Sequence, residues 1–391
     1  MNKINVFIIL SLLLFSSNRL FCQTLSNNSE ISLLTISPGK ELFSFAGHTA
    51  IRVKDPANGI DANFNYGVFD FRTEGFYLKF LKGTLPYQLG AYNFRDEMPI
   101  WTEDGRGITQ QVLRLDSTQK QQVFDLLMTN YEAENREYKY KFFYDNCSSR
   151  VRDVFQTVCG STLAFSNTLN ADKSFRDWLD IYNQKSNNDW TAFGMNLALG
   201  LPADEKTNAS RAMYIPDNLM AAFDSAKVTQ KGKLFNFVSR KQELSEYTIH
   251  HKSFPIKPFM LFSILFLIVA YLTFMEHQGN KWHLWLDKIL FSLTGITGCF
   301  LLILWFLTDH RVMNQNMNLM WTFPLVFPLV LFLNRTKGNQ NYLRAIFIIQ
   351  MVLALIFIIG FSFSPQGFHV AMIPITAMVL LRSYFVWKRK T

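Results

Sequence analysis

Apolar residues are distributed differently in the two parts of this chain. Up to about Lys257 they come in short runs broken by regular charges. From Pro258 onward they gather into five long segments, Phe259–Met275, Ile289–Leu307, Leu319–Leu333, Ala345–Phe363 and Phe368–Trp387. In the first part, Ile31–Ser37 alternates loosely and predicts a strand. After Pro38-Gly39, Glu41–Val53 reads as a hairpin arm or paired strands, and Asp55-Pro56-Ala57-Asn58-Gly59 as a turn. Ala62–Val68 is a further strand, with Asn63 and Asn65 alternating against Phe64 and Tyr66. Phe76 to Lys82 predicts a short helix stopped by Gly83, and Ile108–Leu115 another strand. Asp116 or Ser117 caps a helix expected from Thr118 to Tyr138. Val151, Val154, Phe155 and Val158 form an i, i+3, i+4, i+7 stripe, so a second helix runs from Cys147 to Gly160. Helical pieces follow at 172–183, 190–200 and 217–228, then mixed strand and linker over 229–257.

The apolar segments predict a membrane bundle of about five helices, with four as the fallback. The second and fourth are long enough to span outright. The third is short and carries Pro324 and Pro328, which predicts a kink, and Arg382 near the end of the fifth is placed to snorkel. At the other end of the chain, Lys3, the run Val6–Phe15 and Ser16-Ser17-Asn18 have a signal-peptide layout, with cleavage expected near Cys22-Gln23. The expected organisation is a leader over 1–22, an exported α+β domain over 23–257 and an all-α membrane domain over 258–391.

Charge supports this division. The net charge is +9, but residues 24–257 hold 27 basic and 27 acidic residues, so the excess lies in the leader and the spans. The basic balance is therefore a topology signal and gives no support for nucleic-acid binding. Lys281, Lys288, Arg335, Lys337, Arg344, Lys388, Arg389 and Lys390 fall in the loops and tail opposite the exported domain. The loops 308–318 and 364–367, on its own side, hold only Arg311. This is the positive-inside pattern of a multi-pass membrane protein with its N-terminal domain outside the cytoplasm.

Within that domain, two cysteines carry candidate chemistry. Cys147 and Cys159 lie at opposite ends of one predicted helix, roughly 18 Å apart at about 1.5 Å per residue, too far to bridge. An exported domain that keeps a free thiol, where disulfides are favoured, points to a thiol in use. Tyr144-Asp145-Asn146-Cys147-Ser148-Ser149 reads as a capped helix start with Cys147 in the first turn. There the helix dipole lowers a thiol pKa, and the N–H groups around Asn146 and Ser148 could cradle an oxyanion. His48, in Phe45-Ala46-Gly47-His48-Thr49-Ala50-Ile51-Arg52-Val53, sits on a strand and would serve as the base. Alone, either residue is more simply a core cysteine or a satisfied strand histidine; together they suggest a nucleophile and its base. Cys159 lies at the end of the helix where the dipole disfavours a thiolate, and reads as structural. The loop 308–318 carries Asp309, His310, Asn314 and Asn318. It is either a solvated turn or the completion of a site at the mouth of the bundle. His250-His251 has no ligand partners at metal spacing, and glycine-rich phosphate loops are absent, so no metal or cofactor is expected.

These motifs resemble a known family. A histidine on a strand followed much later by Asn-Cys at a helix start is the order of circularly permuted papain-like folds, related to the NlpC-type hydrolases. The motifs around His48 and Cys147, together with Asn65-Tyr66-Gly67-Val68-Phe69-Asp70-Phe71 and Phe76-Tyr77-Leu78-Lys79-Phe80, resemble the Lnb-like lipoprotein N-acyltransferases. Thr308-Asp309-His310 and Asn314 to Asn318 extend the likeness into the membrane part. The resemblance implies an enzyme that takes an acyl chain from a membrane phospholipid onto Cys147, with His48 as base. The chain then passes to the N-terminal amine of a diacylated lipoprotein. Asn65 is the first choice for the residue that orients His48, with Asp61 and Asn63 behind it. Two other readings stay open. With water as acceptor, the same residues would make a periplasmic cysteine hydrolase acting on cell-wall or lipid substrates. A non-catalytic membrane sensor or assembly factor would need no reactive thiol. The sequence does not specify an oligomeric state.

Overall fold

The computed structural model describes residues 23–388 apart from 167–171, 186–187, 250–254, 280 and 331–339. The expected leader, 1–22, lies outside the described residues.

The N-terminal region is built on an antiparallel sheet. Its strands are β1 (Glu30–Ile36), β2 (His48–Asp55), β3 (Ile60–Val68), β4 (Pro86–Asn93), β5 (Ile108–Leu113), β6 (Glu137–Lys139) and, last in the chain, β10 (Val238–Ser245). Seven strands pair in the order β10-β5-β1-β2-β3-β4-β6, and β7 (Leu163–Ala164), β8 (Lys227–Gln230) and β9 (Lys233–Asn236) form a small second sheet. The helices are α1 (Phe76–Lys82), α2 (Phe94–Glu103), α3 (Ser117–Tyr131), α4 (Cys147–Cys159), α5 (Phe175–Lys185), α6 (Asp189–Ala198), α7 (Ala209–Ala212) and α8 (Pro216–Ser225). The core lies between one face of the large sheet and α3, α4 and α8. Ile31, Leu33, Ile51, Val53 and Phe64 pack there against Val123, Val151, Val154, Phe155 and Phe223. Burying each of these side chains contributes about 1.5–3 kcal/mol. The stripe that predicts α4 is thus the face that docks it on β2 and β3.

Two local expectations are corrected. Glu41–Val53 is not strand throughout. Leu42–Ser44 is a 3₁₀ turn in which the Ser44 hydroxyl donates to the Glu41 carbonyl at 3.0 Å, and strand begins only at His48. The switch is made at Gly47 (φ +78°), where a Cβ would stand 2.7 Å from the Ile36 carbonyl oxygen. The helix expected to reach Tyr138 ends at Tyr131, because Glu132 leaves helical geometry and Asn135 Nδ2 caps the Thr129 carbonyl at 3.0 Å. That frees Glu137–Lys139 to pair with β4. Finally, β4 and α2 were not anticipated, since Pro99 inside α2 masks its helical pattern.

The C-terminal region is helical: α9 (Pro258–Gly279), α10 (Leu284–Phe306), α11 (Val326–Val330), α12 (Gln340–Gly360) and α13 (Met372–Lys388). Among the described residues three helices are long and apolar enough to cross a membrane: Pro258–Gly279, Leu284–Phe306 and Tyr342–Gly360. The third expected segment is not helical from Leu319. Residues Met317–Met320 form a 3₁₀ turn, helix starts at Val326 just after Pro324, and 331–333 lie outside the described residues. The fifth segment forms α13, 17 residues long. Arg382 on it does not snorkel. It is fully buried in the protein, with Nε and Nη2 donating to the two carboxylate oxygens of Asp287 at 2.7 and 2.8 Å. Its Nη1 donates to Thr273 Oγ1 at 2.8 Å and to Glu276 Oε2. Glu276 and Asp287, at facing ends of α9 and α10, thus clamp α13 through one guanidinium.

The two regions meet in a polar seam at the other end of the bundle. Asn316 Nδ2 donates to the carbonyls of Leu197 and Ala198 at 2.8 and 3.0 Å, and Asn318 Nδ2 to that of Asn196 at 3.1 Å. Gln366 Nε2 reaches the Leu199 carbonyl at 3.2 Å, and Gly367 N–H the Asp204 carboxylate at 2.9 Å. Arg176, itself buried, braces this strip from below through Asp204, Asn196 and the carbonyls of Leu199 and Gly200. Both loops expected on the side of the N-terminal domain, 308–318 and 364–367, do contact it.

The Arg382 clamp is testable. Arg382→Met takes the guanidinium from two buried carboxylates, leaving Asp287 with the Trp282 indole and Glu276 with His283, and should cost about 3–5 kcal/mol. Thermal unfolding in detergent should show a marked drop, most of it recovered by adding Glu276→Gln and Asp287→Asn. An unshifted Arg382→Met protein would refute the clamp.

Candidate active site

Asn146 fixes the start of α4. Its Oδ1 accepts from the Ser149 N–H at 2.8 Å, and the Ser149 hydroxyl accepts from the Asn146 N–H at 2.8 Å, a reciprocal cap. Its Nδ2 donates to the carbonyls of Phe142 and Tyr214 at 2.9 and 2.7 Å. Every polar atom of this side chain is therefore committed to holding the helix start. Cys147 follows in the first helical position and is 7% exposed. The backbone N–H groups of Thr49, Ser148 and Cys147 itself lie within hydrogen-bonding reach of its sulfur, and the Ser148 hydroxyl is at 4.0 Å. Tyr140 also lies near the sulfur. Thr49 is the next residue along β2 from His48, so the thiol and the histidine occupy the same end of the sheet.

The histidine is held by a line of side chains. His48 Nε2 lies 2.9 Å from Asn65 Oδ1. Asn65 Nδ2 donates to both Glu97 oxygens at 3.1 and 3.0 Å, and Asn63 Nδ2 donates to Glu97 Oε2 at 3.0 Å. A carboxylate accepts and does not donate, so Glu97 turns the Asn65 amide with its oxygen toward His48. That oxygen can only accept, so His48 carries its proton on Nε2. Nδ1 is then the basic nitrogen.

Burial sets the protonation states. The Cys147 thiol is pushed up from its ordinary value by desolvation, which outweighs the surrounding N–H donors. This differs from the helix-dipole expectation of a lowered value. His48 is lowered to about 4, chiefly by desolvation, with the nearby Arg106 cation adding to the fall and the Asn65 hydrogen bond opposing it. At neutral pH the resting pair is thiol and neutral imidazole. Burial also raises the Tyr140 phenol well above its ordinary value, so it stays a hydrogen-bond donor. Glu97 is raised from the usual carboxylate range by burial, while the Asn63 and Asn65 amides favour its charged form.

The remaining candidates fall elsewhere. Ser148 bonds Thr49 Oγ1 at 2.9 Å, stitching α4 to β2, and Asn146 is a cap, so neither side chain is free for an oxyanion. Asp61 pairs with Arg52 at 2.7 Å. Asp309 and His310 contact α1: Asp309 N–H donates to the Lys82 carbonyl at 2.8 Å, and His310 Nε2 lies 3.0 Å from the Phe80 carbonyl oxygen. Asn318 belongs to the seam, and so does the Asn314 backbone, which packs against Gly200. Cys159 is buried at the far end of α4, pushed up to about 12 by burial and by the Asp116 charge. Sequence reasoning missed Glu97, Tyr140 and Arg106. For Glu97 a signal was present: Asn93 caps α2, whose first turn carries Asp96 and Glu97.

With this geometry in hand, the comparisons decide the family. Residues 22–182 match the family model of the Lnb N-terminal periplasmic domain, and 249–390 that of the Lnb transmembrane domain. The chain belongs to the Lnb family. Together the two models cover more than three quarters of this Lnb-family chain, and Lnb membership makes it a membrane protein with a periplasmic domain. No curated protein and no solved structure matches it. Residues 196–204, which form the seam, lie between the two matched Lnb stretches.

Glu97→Gln would set an amide donor against the Asn63 and Asn65 amides and loosen His48. Acylation of Cys147 by an activated ester should slow by about 10- to 100-fold. The unfolding temperature should barely move. An unchanged rate would remove Glu97 from the site.

Proposed function

We propose that this protein moves an acyl chain from a membrane phospholipid to the N-terminal amine of a diacylated lipoprotein at the periplasmic face of the inner membrane. The observation that carries this reading is the capped Cys147 beside a strand whose His48 is aligned by Asn65 and Glu97. That site belongs to a domain joined by a polar seam to membrane-spanning helices. A cysteine helix packed on an antiparallel sheet that bears the histidine also fits a permuted papain-like fold.

The chemistry needs no cofactor. As the sulfur attacks the ester carbonyl, its proton passes to His48 Nδ1, and the developing oxyanion is met by backbone N–H groups and the Tyr140 hydroxyl. The acyl C–O bond breaks, and the lysophospholipid oxygen leaves with the proton from His48. The thioester on Cys147 is then attacked by the lipoprotein amine. Its proton goes to His48 and on to the departing sulfur, leaving an amide and the free thiol. Arg106 adds a positive field that favours the transient thiolate. Because both Cys147 and His48 are neutral at rest, proton transfer and attack occur together.

Purified protein in phospholipid vesicles should add one acyl chain to a synthetic diacyl lipopeptide, read by mass. Cys147→Ser should abolish the gain and Cys159→Ser should leave it nearly unchanged. Equal loss in both would defeat the assignment, and release of free fatty acid without peptide acylation would favour the hydrolase. The pH profile supplies a second test. His48 must be neutral to take the proton, and with its value lowered to about 4 from 6.5 it remains neutral well into acid. The acid limb of thioester formation should therefore have its midpoint near 4. A midpoint near 6.5 would contradict the desolvated histidine.

A further inference from the structure

Helix α1 turns most of its apolar surface away from the protein. None of its seven residues is buried, although five are Phe, Tyr or Leu. Tyr77 is 83% exposed, and Leu78 and Phe80 are at least half exposed. Seven residues are too few for a helix to stand on hydrogen bonds alone in water. Such an apolar element needs a cover, and its place in the fold indicates which one. Span α10 ends at Phe306, with Phe306 and Leu307 both exposed on its outer surface. Two residues later, Asp309 N–H is bonded to the Lys82 carbonyl at the C-terminus of α1. His310 bonds the Phe80 carbonyl, and Lys139 pairs with Asp309 at 3.2 Å. The exposed face of α1 is thus continuous with the lipid-facing end of a membrane span. Lys79 and Lys82 lie in its last turn, where they can meet phosphate headgroups.

The rings continue inward from this face. Phe80 stacks on Phe76 (6.2 Å between centroids), Phe76 meets Phe69 (5.8 Å) and Phe69 meets Tyr87 (5.5 Å). Tyr87 stacks on Tyr140 at 4.6 Å, and Tyr140 lies near Cys147. Tyr140 can sit there because Gly67 (φ +92°) has no side chain: a Cβ would come within 3.1 Å of its ring.

We propose that α1 is immersed in the outer leaflet of the membrane, and that the ring row from Phe80 to Tyr140 guides a phospholipid acyl chain from the bilayer to Cys147. The guiding step rests on the acyl-transfer reading; the immersion of α1 does not.

The test uses full-length protein with Cys147→Ser, which cannot consume the lipid, in vesicles of phosphatidylglycerol and phosphatidylethanolamine. A fraction of the lipid carries a diazirine in its acyl tail. After irradiation, lipid adducts are mapped by mass spectrometry. The expected result is labelling of α1 at Phe76, Tyr77 or Phe80, and of Phe69 or Tyr87 behind it. Labelling of α9, α10 and α12 in the same sample reports a folded, inserted protein. Labelled spans with an unlabelled segment 69–87 would overturn the proposal. So would loss of α1 labelling to a crosslinked protein partner in native membranes. If α1 is labelled but the wild-type protein transfers no acyl chain, the acyl-transfer reading fails while the immersion stands.

Discussion

The site depends on how Asn146 is held. A helix start leaves N–H groups without partners, and the chain around 142 and 214 leaves carbonyls without partners. One amide side chain answers both, accepting from Ser149 and donating to Phe142 and Tyr214. Because the Tyr214 carbonyl comes from a distant part of the chain, this cap fixes α4 along its axis and about it. Ser148 then bonds Thr49, and the sulfur of Cys147 comes to rest against β2 one residue from His48. An exposed cap of the same type would stabilise the helix by about 1 kcal/mol and position nothing else.

Two influences compete at the thiol. The helix N-terminus and its N–H groups favour the thiolate, while burial favours the neutral form. Burial prevails, and it acts on His48 in the same sense. A thiol that is neutral at rest is protected from oxidation and stray alkylation in an oxidising compartment. In the proposed reaction the cost is that the base must be well aimed, because no ion pair waits in advance. The Glu97–Asn65–His48 line provides the aim by fixing the tautomer.

What was legible in the sequence follows from the range of each signal. The α4 stripe, the Asn146 cap and the alternation of Asn63 and Asn65 on β3 are local, and each could be read from neighbouring residues. His48 and Asn65 could be paired because adjacent antiparallel strands bring them together. Glu97 was hidden because its helix contains Pro99, and because its partners Asn63 and Asn65 lie more than thirty residues away. Arg382 was misread for a related reason. A cation near the end of an apolar segment looks like a snorkelling residue until the carboxylates of Glu276 and Asp287 are seen to converge on it from two other helices. Tertiary pairing of buried charge leaves no mark in a hydropathy pattern.

The two ends of the membrane region do different work. The end away from the N-terminal domain is closed by a charge cluster in which one guanidinium bridges two carboxylates that Trp282 and His283 also bond, an arrangement that tolerates little movement between α9, α10 and α13. The near end is joined by amide-to-carbonyl bonds from Asn316, Asn318 and Gln366 to the strip 196–200, with Asp204 and Arg176 behind it. Neutral bonds of this kind are individually worth about 1 kcal/mol, so the seam holds the site at a set height through number and geometry. On the proposed acyl transfer, that height matters because an acyl ester lies at a fixed depth in a leaflet. A cysteine held too far above the bundle would require the whole lipid to leave the bilayer. A cysteine joined to the spans at the seam, with α1 reaching the end of α10, needs only the reacting part of the chain to rise toward it.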